Sequence, residues 1–249
     1  EVDENIRLRH RYLDLRKPRM QRNLRIRAQV NSAIRNAMEN QNFVEIETPM
    51  LIASTPEGAR DFVVPSRLHP RNFYALPQSP QIFKQLCMVG GVDRYYQIAR
   101  CLRDEDLRAD RQFEFMQLDM EASFVTQDDI LSFVSQAVKD AAESVTGERP
   151  GEIPRMTWKE AMERFGSDKP DTRFGMELVE LSQIFEGTEA NVFKVECVKG
   201  IRYPEGADLL GRNAIDALTE KCQSWGAKGL AWFRIGENSS LDGALTKFM

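Results

Sequence analysis

Residues 112–124 form a strand-like run in which polar and apolar side chains alternate. The odd positions hold one aromatic ring and three hydrogen-bonding groups: Phe115, Gln117, Asp119 and Glu121. The even positions are apolar: Met116, Leu118, Met120 and Ala122. Because successive side chains of a strand point to opposite faces, the even face suits a core. The odd face is either solvated or the floor of a binding site, and the pattern alone leaves both open.

A charged loop, RDEDLRAD, joins this run to a first strand-like run over residues 95–102. Arg103 begins the loop and adds a permanent cation to the end of the predicted hairpin. Arg103 and Phe115 share a face only if the hairpin pairs odd residues with odd residues, such as 103 with 113. A register shifted by one residue would separate them.

Composition limits the class of protein. The 249 residues are 42% hydrophobic and 29% charged, enough for one large domain or one and a half ordinary ones. No run approaches the ~18 apolar residues of a membrane span, and the first segment lacks the apolar core of a signal peptide. We therefore expect no membrane partner and a cytoplasmic location. Four cysteines without metal-ligand spacing are expected to be reduced packing residues: Cys87, Cys101, Cys197 and Cys222.

Charge is unevenly distributed. The net charge is -4, yet residues 1–28 hold nine Arg or Lys against four Asp or Glu. Such a run indicates either a solvated face or contact with nucleic-acid phosphates, and steep salt dependence of binding would distinguish the second.

The first half of the chain predicts a helix running to about Asn40, a strand over residues 43–51 stopped by Pro49, and a loop-rich stretch over residues 55–91. A capping box of Thr126 and Asp129 predicts a helix that ends near Gly147.

Residues 147–154 are the best linker candidate, and a second capping box, Thr157 with Glu160, predicts a short helix. Beyond residue 171, we expect four further elements: a helix over 178–185, a strand over 192–198, a helix over 213–225 and a strand over 230–235.

Residues 103–115, RDEDLRADRQFEF, resemble motif 2 of the class II aminoacyl-tRNA synthetases, and within that class the aspartyl enzymes of bacterial type. PEGARDF over residues 56–62, LPQSPQIFKQL over 76–86 and GSDKPD over 166–171 also resemble the aspartyl enzymes. The helix, strand and proline before residue 51 resemble motif 1, which implies a symmetric homodimer.

The resemblance implies an α+β fold. Residues 1–172 would be the class II synthetase catalytic core, a mainly antiparallel sheet flanked by helices. Residues 173–249 would begin the α/β insertion domain of bacterial aspartyl enzymes.

The resemblance also implies a site for L-aspartate. Glu57 and Asp119 hold the family positions that bind the α-ammonium group, and Lys84 would bind the side-chain carboxylate with Gln81 and Ser79 as neutral donors nearby. Without the resemblance, Lys84 would be interpreted as a surface helix residue.

ATP would occupy the hairpin end. Arg103, as the catalytic residue, would contact the α-phosphate and the substrate carboxylate, and Phe115 would stack on adenine. Asp104, Glu105 and Gln112 lie at positions that hold the nucleotide. A hydroxyl of the 3′-terminal adenosine of tRNA(Asp) would then attack the aspartyl adenylate and take the aspartyl group, releasing AMP. A second acceptor, tRNA(Asn), is left open, and residues 104–111 would lie against the acceptor end.

The sequence departs from the family in several features. It has no G-x-G and no motif 3, and the anticodon-reading OB-fold and the acidic ligands for the expected Mg2+ are absent. We therefore expect a fragment that is inactive alone. Two alternatives stay open: an amide ligase of the asparagine synthetase kind, and a non-catalytic dimerising or RNA-binding fragment.

Overall fold

The computed structural model describes residues 2–55, 57–108, 111–236, 240–243 and 246. Its backbone separates into two compact units, Glu1–Ile153 and Pro154–Met249. The division falls within the predicted linker over residues 147–154. The boundary between catalytic core and insertion domain at residues 172 and 173 concerns family modules and stays a prediction.

Helices of the first unit follow the start and stop signals of the sequence. Their bounds are α1 (Glu4–Arg9), α2 (Arg11–Asp14), α3 (Pro18–Glu39), α4 (Gln81–Val89) and α5 (Gln127–Thr146). Pro18 opens α3, where a missing N–H costs nothing because that donor has no partner inside the helix. Thr126 and Asp129 form the predicted capping box of α5, and Gly147 ends the helix with φ at 79°. The predictions for α3 and α5 are confirmed.

The strands of this unit are β1 (Val44–Glu45), β2 (Val63–Pro65), β3 (Phe73–Ala75), β4 (Arg94–Leu102) and β5 (Glu114–Ala122). One sheet has the order β1-β4-β5, in which β1 runs parallel to β4 and β4 antiparallel to β5. The strands β2 and β3 form a separate antiparallel hairpin. The stretch predicted to be loop-rich therefore contains both this hairpin and α4.

The strand predicted over residues 43–51 is much shorter in the structure, where β1 spans only Val44–Glu45. Ile46 N still donates to Tyr96 O at 3.1 Å, after which the chain leaves the sheet. Thr48 instead donates through its hydroxyl to Gln97 Oε1 at 3.0 Å. The chain thus turns away before Pro49, where an N–H would be lacking.

The even face of β5 packs against the helices, as its apolar pattern predicts. Leu118, Met120 and Ala122 contact a buried cluster that includes Met38 of α3 and Ala137 of α5. Met116 was wrongly assigned to this core, since it is 37% exposed.

The exposure of Met116 has a local cause. Its cross-strand partner is Arg100, which forms a surface ion pair with Glu114. This end of the sheet is therefore solvated on its even side.

The second unit consists of short elements. They are α6 (Trp158–Phe165), β6 (Leu178–Glu180), the 3-10 helix Asn191–Phe193, β7 (Lys199–Ile201), α7 (Gly206–Leu209), α8 (Arg212–Ser224), β8 (Arg234–Ile235) and β9 (Leu241–Asp242). β6 pairs antiparallel with β7, and β8 pairs antiparallel with β9. The capping box of Thr157 and Glu160 and the helix predicted over residues 213–225 are confirmed.

Two other predictions for this unit were wrong, and one strand is shorter than predicted. The helix over residues 178–185 is instead the strand β6 followed by turns, because Ser182 hydrogen-bonds to Glu180 and its Oγ accepts from Val198 N at 2.8 Å. The strand over 192–198 is replaced by the 3-10 helix, and the ladder begins at Lys199 because β6 pairs there. The strand over 230–235 shrinks to two residues, matching its two-residue partner β9.

The cysteines are free thiols in different environments. Cys101 is buried, and Cys87 and Cys222 are half-buried, but Cys197 is exposed. Cys197 was wrongly predicted to be a packing residue, because its Sγ lies at the surface 3.4 Å from Glu180 Oε2. Among the described residues, no helix is both long and apolar enough to cross a membrane.

Candidate active site

The β4–β5 hairpin has the register that the candidate site requires. Cys101 pairs with Phe115, and Arg103 N donates to Phe113 O at 2.8 Å, so odd residues face odd residues. The guanidinium carbon of Arg103 lies 5.2 Å from the centroid of the Phe115 ring, a cation–π contact. The hairpin end thus presents a cation and an aromatic ring on one face.

A buried ion pair lies on the same face. Lys84 Nζ of α4 is 2.8 Å from Asp119 Oδ1 and 3.5 Å from Glu121 Oε2. The side chains of Lys84 and Asp119 are only 11% and 6% exposed, so the interpretation of Lys84 as a surface residue is wrong.

Asp119 keeps unused hydrogen-bonding capacity. Its Oδ2 is buried and has no hydrogen-bond partner among the residues that the structure describes. A buried carboxylate oxygen without a donor is costly, so a bound ammonium group would gain a strong interaction here.

Tyr95 lies close enough to Asp119 to feel its charge. The Tyr95 hydroxyl donates to Gln97 Oε1 at 2.9 Å. Burial, followed by the nearby charge of Asp119, raises the pKa of Tyr95 well above its usual range. Tyr95 therefore stays protonated at neutral pH.

Four of the charged residues predicted for the site, Glu57, Lys84, Arg103 and Asp119, affect the pKa of Cys101. Burial raises the pKa of Cys101 to about 11. The charges of Asp119 and Glu57 contribute to this rise, whereas those of Arg103 and Lys84 oppose it. All four charges are therefore close enough to act on one buried thiol.

Glu57 is oriented by two hydroxyl groups. Ser79 Oγ donates to Glu57 Oε2 at 2.6 Å, and Thr55 Oγ1 donates to Glu57 Oε1 at 2.9 Å. Gln81 N, at the start of α4, donates to Ser79 Oγ at 3.0 Å. Glu57, Ser79 and Gln81 are thus linked. The resemblance placed Ser79 and Gln81 beside Lys84, whereas in this arrangement the Ser79 hydroxyl donates to Glu57.

The charged loop is anchored at its second residue, Asp104. Asp104 N donates to Arg60 O at 3.0 Å, and Arg60 Nε donates to Asp104 O at 3.3 Å. Glu105 and Gln112 are exposed. Residues 109 and 110 of the predicted acceptor-end loop lie outside the described residues.

Sequence reasoning missed Gln78, which is 2% exposed and hydrogen-bonds to Ala59 and Asp61. The one signal was its place in LPQSPQIFKQL, directly before Ser79. A polar residue between two prolines is read from sequence as a loop position, and nothing local predicts its burial.

Among the described residues, no three His, Cys, Asp or Glu side chains come together in a way that could hold a metal ion. The described acidic residues of the site do not fit a Mg2+ centre of their own.

The family described as tRNA synthetases class II (D, K and N) matches residues 3–229. The aspartate–tRNA(Asp/Asn) ligase of Symbiobacterium thermophilum is 55% identical over 255 residues, covering 100% of this chain and 43% of that protein. The protein of the same name from Micrococcus luteus is 54% identical over 247 residues, covering 99% and 41%. The aspartate–tRNA ligase of Halalkalibacterium halodurans is 52% identical over 254 residues, covering 100% and 42%.

The chain spans about two fifths of the length of these curated relatives. The α+β architecture, the odd-with-odd hairpin and the family match agree with one another. The chain belongs to the class II tRNA synthetases of the D, K and N group.

Proposed function

We propose that the protein containing this chain is an aspartate–tRNA ligase, which activates L-aspartate with ATP and transfers the aspartyl group to tRNA. One observation carries the proposal. The hairpin register brings Arg103, Phe115 and Asp119 onto one face, where Lys84 of α4 pairs with Asp119.

Aspartate fits the charges of this face. Its α-ammonium group would bind Asp119 Oδ2, which has no partner among the described residues, and Glu57 would supply a second carboxylate. Lys84 would then turn from Asp119 to the side-chain carboxylate of the substrate. Asp119 would exchange Lys84 for the substrate ammonium group, and Lys84 would exchange Asp119 for the substrate carboxylate. Binding therefore leaves neither buried ion unpaired.

ATP fits the open end of the hairpin. Phe115 offers a ring face for adenine, and Arg103 offers donors to the α-phosphate and to the substrate α-carboxylate. Asp104, Glu105 and Gln112 would hold the rest of the nucleotide. An oxygen of the α-carboxylate attacks the α-phosphorus, and the bond to pyrophosphate breaks.

Positioning and charge stabilisation carry this step, and one preorganised donor contributes roughly 2.7 to 4 kcal/mol. A hydroxyl of the 3′-terminal adenosine of tRNA would then attack the aspartyl carbonyl, and AMP would leave.

Several properties of the whole protein belong to this proposal. tRNA(Asp) is the acceptor, and tRNA(Asn) is a second acceptor to be tested, as the names of two relatives suggest. The protein would act in the cytoplasm as a homodimer, with Mg2+ held by residues outside the described ones. Residues 1–249 alone would be inactive, since they span only part of the relatives.

The test is aspartate-dependent exchange of pyrophosphate into ATP by the full-length protein. Arg103→Ala should slow exchange by about a hundredfold to a thousandfold. Arg100→Ala is the matched control, because this exposed arginine lies on the opposite face of β4 and pairs with Glu114. Undiminished exchange by Arg103→Ala would mean that the hairpin is only structural. Asparagine formation from ammonia without tRNA would instead identify an amide ligase.

A further inference from the structure

The side-chain amide of Gln78 pairs with the chain in the way that a strand residue would. Gln78 Oε1 accepts from Ala59 N at 3.2 Å, and Gln78 Nε2 donates to Ala59 O at 2.9 Å. Nε2 also donates to Asp61 Oδ1, and Asp61 Oδ2 accepts from the Ser54 hydroxyl. Because a carboxamide carries the same donor and acceptor as a peptide group, Gln78 replaces a missing ladder partner.

Segment 57–61 needs such a partner. Gly58 has φ at 98°, a left-handed conformation that glycine adopts without strain, so the backbone turns sharply between Glu57 and Ala59. The direction of the Glu57 carboxylate therefore depends on what fixes the chain on both sides of the turn. Thr55 lies on one side, and the Gln78–Ala59 pair fixes the other.

The same segment reaches the nucleotide end of the site. Arg60 and Asp104 exchange two hydrogen bonds, and Leu102 N donates to Pro77 O at 3.0 Å. Gln78 thus lies where the segments 59–61, 77–79 and 102–104 meet. It is 2% exposed, so its hydrogen bonds are shielded from water.

We propose that Gln78 is a positioning residue that sets the affinity for aspartate by holding segment 57–61, and with it Glu57, against the substrate. This role rests on the proposed function of Glu57. Gln78 affects the affinity for aspartate more than the affinity for ATP. The reason is that the Arg60–Asp104 hydrogen bonds, which anchor the nucleotide end, do not involve the carboxamide of Gln78.

Steady-state pyrophosphate exchange by the full-length protein tests this role. Gln78→Ala should raise KM for aspartate about tenfold, the effect of losing paired buried hydrogen bonds, while KM for ATP changes by less than about twofold. Gln85→Ala, an exposed glutamine of α4, is the matched control and should leave both constants unchanged. A fall in kcat with both KM values retained would overturn the proposal, since a purely structural role predicts that pattern.

Exchanging the amide of Gln78 and the carboxylate of Asp61 between the two positions tests whether a restored hydrogen bond recovers KM for aspartate. Gln78→Glu cannot donate to Asp61 and places two carboxylates together, so its KM for aspartate should rise at least as much as that of Gln78→Ala. Adding Asp61→Asn restores a donor between the two side chains and should recover KM by about threefold. No recovery would contradict the hydrogen-bonded role.

Amide hydrogen exchange separates this inference from the proposed function. In the full-length protein without ligands, Gln78→Ala should speed exchange of the Ala59 amide by about tenfold or more and leave the β5 amides unchanged. If the wild-type protein does not exchange pyrophosphate into ATP with aspartate, the proposed function fails. The hydrogen-exchange rate of the Ala59 amide still tests whether Gln78 holds segment 57–61. An unchanged Ala59 amide would overturn that role.

Discussion

Two buried aspartates of the first unit, Asp14 and Asp119, differ in how completely their charges are matched. The side chain of Asp14 is 2% exposed and contacts Arg7 at 3.0 Å, Arg11 at 2.6 Å and Lys17 at 2.8 Å. Both of its oxygens accept hydrogen bonds. Its cations come from the same short segment, so Asp14 is saturated by its neighbours in sequence.

Asp119 is 6% exposed at its side chain, and its nearest cation, Lys84, comes from a distant helix. Its second oxygen has no partner among the described residues. A saturated buried carboxylate stabilises the fold, whereas one with an unused oxygen has capacity for a ligand. A structural ion cluster and a binding site thus differ in the number of carboxylate oxygens left without a donor, rather than in the number of charges.

The largest expected effect is on Asp119. Asp119→Asn keeps the shape of the side chain but removes the charge that Lys84 and the substrate ammonium need. We expect kcat/KM for aspartate in pyrophosphate exchange to fall by about a thousandfold, because one member of a buried charge pair is lost. Circular dichroism should show an intact fold. Near-normal exchange would remove the distinction between the two aspartates.

Asp14→Asn should lower thermal stability without affecting the binding of aspartate. Arg7, Arg11 and Lys17 would lose their common anion and repel one another, so we expect Tm to fall by about 3 °C. KM for aspartate should stay unchanged. Asp216→Asn, an exposed aspartate of α8, is the control for thermal unfolding. A raised KM for aspartate in Asp14→Asn would show that the basic segment contributes to the site.

The smallest expected effect is a pH dependence of the stability that Asp14 contributes to the fold. Hydrogen bonds from Arg7 and Lys17 hold the pKa of Asp14 far below its usual range. Its stabilising contribution is therefore complete above the unfolded-state pKa of about 3.9 and is lost as pH falls toward the folded-state value. Urea unfolding should show a constant gap between wild type and Asp14→Asn from pH 7 to pH 5, and a narrower gap at pH 3.5. A gap that widens in acid would contradict this assignment.

The sequence predicted the main helices and the β4–β5 hairpin of the first unit better than the strands of the second unit. Alternation over β5 specified its two faces, and the capping boxes at Thr126 and Thr157 marked helix starts, because these signals are local. β6 was mistaken for a helix because its state depends on pairing with β7, which adjoins it only in the fold.

The burial of Lys84 could not be predicted from residue type, since it depends on Asp119, 35 positions away. The same holds for Gln78, whose partners are separated from it by the β2–β3 hairpin. The family resemblance predicted a role for Lys84, which stays a prediction, but said nothing about Gln78.

The hydrogen bond from Arg103 N to Phe113 O closes the β4–β5 ladder before the charged loop begins. Residues inserted between Glu105 and Gln112 would therefore leave Phe115 beside Arg103, whether their number is odd or even. A one-residue insertion within β5 would instead move Phe115 to the opposite face. The register of the site is thus independent of the length of the loop but depends on the length of the strand.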